Sequence, residues 1–165
     1  MAVIYLGIGS NLNPQENLRL ALCELEKRFS LRKISPVYRN KALGFEGGDF
    51  LNAVVCVETE LDPTAVCHEL QIIHDIAGRK RDARKFSSRT LDIDLLLYDD
   101  LVTDDKNVSV PRSDVLEFSF VLRPLADIEP NLRHPVTGKT MARHWLDFDA
   151  SSHPLQEEAL SLQQA

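Results

Sequence analysis

The chain has 165 residues, 44% of them hydrophobic and 27% charged, with a formal net charge of −6. That length suits one domain around one core, and the composition is that of a soluble globular protein. The acidic balance argues against a general nucleic-acid coat, no apolar run approaches the ~20 residues of a membrane span, and the first residues lack the basic head and cleavage site of a signal peptide. Cys23, Cys56 and Cys67 form no CxxC pair. An odd number of thiols without a pairing pattern points to free cysteines in a reducing cytoplasm.

Residues 2–9 are rich in Val, Ile, Tyr and Leu and read as a first strand, closed by a turn at Gly9-Ser10-Asn11 in which Gly9 takes a positive φ. Asn13, Pro14 and Glu16 carry the pattern of a helix N-cap, N1 and capping box. Leu18, Ala21, Leu22, Leu25 and Phe29 then give a core face at helical spacing, with Cys23 packing beside it. Residues 31–39 read as a strand ended near Pro36, and 40–49, with Gly44, Gly47 and Gly48, as a flexible loop. Residues 50–60 form a good strand. Its early polar residue, Asn52, either ends a β-edge or offers a ligand paired donors and acceptors.

Asp62 and Pro63 start a second helix with a Val66, Leu70, Ile73 and Ala77 stripe, and Gly78 ends it. Cys67, Gln71 and His74 lie on a neighbouring stripe, too few for a Cys/His metal site; Gln71 or His74 can reach a ligand beside the segment that follows. A strand over residues 90–97 comes next, then turns at 99–100 and 104–107 flanking a short hairpin that ends at Val110-Pro111. A helix over 117–127 is strained by Pro124. A short helix over 139–146 places Trp145 in the core. The organisation expected is a single domain over 1–149 and a polar tail over 150–165, either disordered or a loosely docked helix. The order β-α-β-β-α-β, then a hairpin and helices, suggests an α+β fold with a ferredoxin-like core and a mainly antiparallel sheet. In that core the strand over 90–97 is expected at or near the centre.

The chemistry concentrates between residues 79 and 98. Arg79, Lys80, Arg81, Arg84, Lys85 and Arg89 form a basic arm against the acidic background. The arm runs into a strand on which Asp92 and Asp94 share one face, with Leu91, Ile93, Leu95 and Leu97 on the other. Two carboxylates about 7 Å apart on one strand face repel unless something positive lies between them. Hard oxygen ligands suit Mg²⁺, which takes one or two carboxylates plus substrate phosphates and waters. Guanidinium groups beside such a pair make sense when a polyphosphate lies between them. The plainer reading is a solvated basic loop and a strand whose aspartates face water.

These motifs, with Ile8 to Asn11, Leu51 to Ala53, Gly78 to Arg81, Arg89 to Leu97, Val110-Pro111 and Pro124-Leu125, resemble those of the 6-hydroxymethyl-7,8-dihydropterin pyrophosphokinase family over roughly residues 2–147. The resemblance implies a cytoplasmic monomer that moves pyrophosphate from ATP to a pterin alcohol, with no nucleic-acid or membrane partner. It implies two Mg²⁺ ions held by Asp92 and Asp94, and Arg79 and Arg89 as catalytic residues with that pair. Gln71, Arg81, Arg89 and Arg112 would bind ATP. Leu43, Phe50, Asn52, Phe86 and Phe120 would bind the pterin, the aromatic rings by stacking. The chain departs from the family pattern at His74, where an acidic residue is common, at Phe86 and Ser87-Ser88, where Trp and Gly-Pro are usual, and at Arg112 and Phe118, which stand for His and Arg.

Two other readings stay open. A palm-like nucleotidyltransferase also places carboxylates on a βαββαβ sheet but releases pyrophosphate rather than AMP. A non-catalytic pterin- or nucleotide-binding paralogue would bind without turnover. An RNA-binding module fits least, because the aromatic pattern of an RNA-recognition sheet is missing.

Overall fold

The computed structural model describes residues 1–41, 48–78, 91–152, 154–158, 160 and 162. In chain order the elements are β1 (Ala2–Ser10), α1 (Pro14–Arg28), β2 (Ser30–Ile34), β3 (Val37–Asn40), β4 (Phe50–Thr59), α2 (Pro63–Ile76), β5 (Asp92–Tyr98), β6 (Thr103–Asp104), β7 (Ser109–Val110), α3 (Asp114–Glu117), α4 (Ser119–Ile128), α5 (Met141–Asp147) and β8 (Gln156–Glu158). The main sheet runs β5-β1-β4-β3-β8, with β2 also pairing β4. All its pairings are antiparallel. With β2 and β3 taken as one interrupted strand, the fourth, first, third and second strands of the core lie side by side, the ferredoxin-like order.

The interruption falls at Ser35-Pro36, where a proline cannot donate to the ladder. Ser35 bridges it: its N–H donates to Val54 O at 2.9 Å and its Oγ accepts from Val54 N–H at 2.8 Å. Two apolar layers sandwich the sheet. On one side α1 and α2 bury Leu18, Leu25, Val66 and Ile73 against Ile4, Leu6, Val55 and Ile93. On the other, α3, α4 and α5 bury Val115, Leu122, Leu125 and Met141 against Tyr5, Val54 and Leu96.

Several expectations are corrected. β5 ends the sheet rather than lying at its centre, because the βαββαβ winding adds its last strand outside the first. A register shift at Tyr5/Leu6 pairs Leu6 with Leu95 and Tyr5 with Leu97, leaving Leu96 as an extra residue. The bulge carries Leu97 to the same layer as Leu96, away from Leu91, Ile93 and Leu95. Asn13 stands at the N-cap of α1 but in left-handed backbone (φ 45°) with no side-chain cap bond. The first turn is tied instead by Asn17 Nδ2 donating to Leu12 O at 2.6 Å. Cys23 is exposed, not packed. The helix foreseen over 117–127 is two, α3 and α4, broken at extended Phe118, and α4 accommodates Pro124 inside it. Trp145 is half-buried at the rim of its layer rather than in the core. In its described part the tail carries a 3-10 turn over Ala150–Ser152 and then β8, which pairs with β3, and Leu162 is buried against the α1 and α2 side.

The second helix follows its sequence signals closely. Asp62 accepts from Ala65 N–H at 2.8 Å, and Gly78 takes a positive φ of 79° past its end. Asp62→Ala is expected to cost about 1 kcal/mol, measured as a lower midpoint in urea melts with an unchanged slope. No helix among the described residues is long and apolar enough to cross a membrane.

Candidate active site

The register of β1 brings the candidate residues onto one sheet face. Gly9 pairs with Asn52 on one side and Asp92 on the other; Gly7 pairs with Val54 and Asp94. Residues directly opposite in a ladder point to the same face, so Asp92, Gly9 and Asn52 form a row about 10 Å long, two strand spacings. Glycine in the middle of that row lets the Asn52 amide lie close over β1. A Cβ on Gly9 would lie 2.6 Å from Asn52 Oδ1. Gly9 sits inside a strand and is not one of the positive-φ glycines. Close approach of the Asn52 amide, not a turn conformation, is therefore what requires glycine there.

Asn52 is buried, and its Nδ2 donates to Asn40 Oδ1. It lies between β1 and β3 in the third residue of β4, so the reading of Asn52 as the end of a β-edge is corrected. Phe50, two residues before it, is half-buried on the same face. Phe120 is half-buried on α4, the helix layer facing that side, and stacks on Phe118 with ring centroids 5.0 Å apart.

Asp92 and Asp94 alternate with buried Leu91, Ile93 and Leu95, and both are half-exposed. Arg112 follows the β6–β7 hairpin and seals part of the outer edge of β5: its N–H donates to Leu96 O at 2.9 Å. Its Nη2 lies 3.8 Å from Asp94 Oδ1 and its Nε 3.2 Å from Asp114 Oδ2, the latter an ion-pair contact without hydrogen-bond alignment. Burial works against the Arg112 charge, yet Asp94, Asp114 and Asp92 together hold its pKa above the ordinary arginine value. The guanidinium thus already feels both aspartates of β5.

Beside them opens a cleft of about 160 Å³, lined by Cys67, Gln71 and His74 of α2, Asp94 of β5, Ser109 of β7, and Arg112. Gln71 is exposed at its mouth and donates to Asp75 Oδ1 at 3.2 Å. Burial pushes the Cys67 thiol up, with Arg112 acting against it and Asp94 with it. Asn107 and Ser109 also line this cleft, although their sequence reads only as turn and short strand; no local pattern marks them, because the folded hairpin brings them to α2.

Asp94, Arg112 and Gln71 therefore line one cleft, Asp92 shares its sheet face with Asp94, Asn52 and Phe50, and Phe120 lies in the helix layer on that side. Leu43, Arg79, Arg81, Phe86 and Arg89 lie outside the described residues. Among the described residues no three His, Cys, Asp or Glu side chains gather as a metal cage. The donor set fits Mg²⁺ all the same: two hard, water-accessible carboxylates leave most positions to phosphate oxygens and water.

A family model described as 7,8-dihydro-6-hydroxymethylpterin-pyrophosphokinase matches residues 5–130. The chain is 39% identical over 143 residues to the 2-amino-4-hydroxy-6-hydroxymethyldihydropteridine pyrophosphokinase of Aquifex aeolicus, covering 86% of this chain and 89% of that one. It is 37% identical over 139 residues to the protein of the same name from Haemophilus influenzae, covering 82% and 86%. Its fold is similar to the crystal structure of Plasmodium falciparum HPPK-DHPS wild type, with a TM-score of 0.72 at 14% identity, over 88% of this chain and 44% of that longer one.

Proposed function

The chain belongs to the 7,8-dihydro-6-hydroxymethylpterin-pyrophosphokinase family, and from that premise we propose that it transfers pyrophosphate from ATP to the hydroxymethyl group of 6-hydroxymethyl-7,8-dihydropterin, giving AMP and the pterin diphosphate. The observation that carries this reading is the row Asp92–Gly9–Asn52, which sets a carboxylate pair and a buried amide on one face, with a glycine between them that admits the amide.

In this reading Asn52 pairs with the heterocycle edge, Phe50 and Phe120 stack on its faces, and Leu43 and Phe86 complete the pocket. Gln71 and Arg112 line the nucleotide cleft, and Arg79, Arg81 and Arg89 grip the triphosphate as planar forks. Asp92 and Asp94 would hold two Mg²⁺ ions, which would supply charge neutralisation for the phosphate oxygens. The chain needs no covalent intermediate, since orientation and charge stabilisation carry most of the barrier reduction in phosphoryl transfer. Asn52 and the rings hold the hydroxymethyl oxygen in line, and the arginines follow the charge to the leaving AMP. The free thiols favour a reducing cytoplasm, where the chain would act as a monomer.

Incubation with ATP, Mg²⁺ and the pterin alcohol is expected to yield AMP and pterin diphosphate in equal amounts, read by chromatography, and none after chelation of the metal. Release of pyrophosphate instead would assign the site to nucleotidyl transfer, and ligand binding without turnover would make the chain a binding paralogue.

A further inference from the structure

β5 is the outermost strand of its sheet, so every second N–H along it points away from β1. Ile93 is one of these, and it is the residue between the two aspartates. Its N–H donates to Nε2 of His74 on α2 at 2.9 Å. His74 is only 5% exposed, so this is a buried pair rather than a surface contact. A backbone N–H can only donate, so Nε2 carries no proton, and the neutral ring keeps its hydrogen on Nδ1.

We infer that His74 is a positioning residue for the metal-binding pair: by accepting from the Ile93 N–H it pins the peptide units on both sides of Ile93, and with them the direction in which Asp92 and Asp94 present their carboxylates. This inference rests on the reading of those aspartates as metal ligands. The peptide joining Asp92 to Ile93 and the one joining Ile93 to Asp94 share that residue. A rotation there to find another acceptor for the buried N–H swings both side chains. On the inner side Gly7 and Gly9 of β1 oppose Asp94 and Asp92 and offer no side chain against which to pack them. With no side chain opposite on β1, the hydrogen bonding on the strand's two edges contributes to the aim beside side-chain contacts such as Arg112 on Asp94. Arg112 N–H on Leu96 O fixes the same outer edge three residues on, and His74 fixes it at the site itself.

The test uses the full chain, Mn²⁺ as the probe metal and α,β-methylene-ATP as an uncleavable nucleotide, with Mn²⁺ affinity read by electron paramagnetic resonance. His74→Leu, which has no acceptor, is expected to weaken Mn²⁺ binding about 10-fold, as loss of a supporting hydrogen bond behind a ligand does. It is also expected to speed hydrogen exchange at the Ile93 amide. His74→Gln, whose Oε1 reaches about as far as Nε2, is expected to restore both. A leucine variant with wild-type Mn²⁺ affinity but faster Ile93 exchange would reduce His74 to a structural role and overturn the inference, as would a glutamine variant no better than leucine. Should the leucine variant not melt cooperatively, His74→Phe removes the acceptor while keeping a planar ring in the same space. If the wild type and Asp92→Ala bind Mn²⁺ equally, the metal reading itself fails and this inference falls with it, an outcome distinct from the first two.

Discussion

Asp92→Ala and Asp94→Ala are each expected to lower AMP formation by at least about 10³-fold, the factor that roughly 4 kcal/mol of lost transition-state charge stabilisation produces. The same variants are expected to melt within about 1 kcal/mol of the wild type, because half-exposed side chains leave no core cavity when truncated. Removing either carboxylate also relieves repulsion in the pair, which works in favour of the folded state. Arg112 decides how far this holds: Asp94 holds its guanidinium from 3.8 Å, so Asp94→Ala sets that group free to lean on Asp114, whereas Asp92→Ala does not. AMP chromatography beside thermal melts separates the two effects. Near-wild-type turnover in both variants would remove the carboxylates from the chemistry.

Gly9→Ala is expected to be the most damaging glycine-to-alanine change among the described residues. Its Cβ would meet Asn52 Oδ1 at 2.6 Å and the Leu51 carbonyl at 3.7 Å. The amide must move, and its bond to Asn40 must break or rotate with it. Overpacking of this kind costs about 1–3 kcal/mol in stability. Misaligning a buried amide that a heterocycle must pair with is expected to raise the apparent KM for the pterin roughly 10–100-fold, with a smaller change for ATP. Steady-state kinetics with each substrate varied in turn checks the split. Gly7→Ala is the control: its Cβ would touch only the Leu96 side chain, at 3.4 Å, which can shift.

Elements whose signals are local were legible from the chain. The cap at Asp62, the stop at Gly78 and the apolar stripe of α2 all depend on residues within one or two turns of each other. The α+β class and the β-α-β-β-α-β order followed from the same kind of signal, and so did the shared face of Asp92 and Asp94. Legibility failed where a distant partner decides. The Asn13 capping box gave way because Asn13 takes left-handed backbone, which leaves its side chain without a cap bond. The tail strand β8 exists because β3 presents an edge to it, with Arg39 and Glu158 paired across that edge. The alternation of β5 broke at Leu96 because β1 pairs around it.

Which groups are available is written along the chain: two carboxylates at strand spacing, a run of arginines, an amide and aromatic rings, and a family pattern that links them. Their relations in space came from the folded chain alone. It put Asp92 and Asn52 on either side of Gly9, swung Arg112 and Ser109 to the edge of β5, and turned His74 inward onto Ile93. The physical reason is range. Periodicity and capping are set by neighbours a few residues apart, whereas strand register and the covering of a sheet edge are settled by segments tens of residues away that must bury the same apolar face.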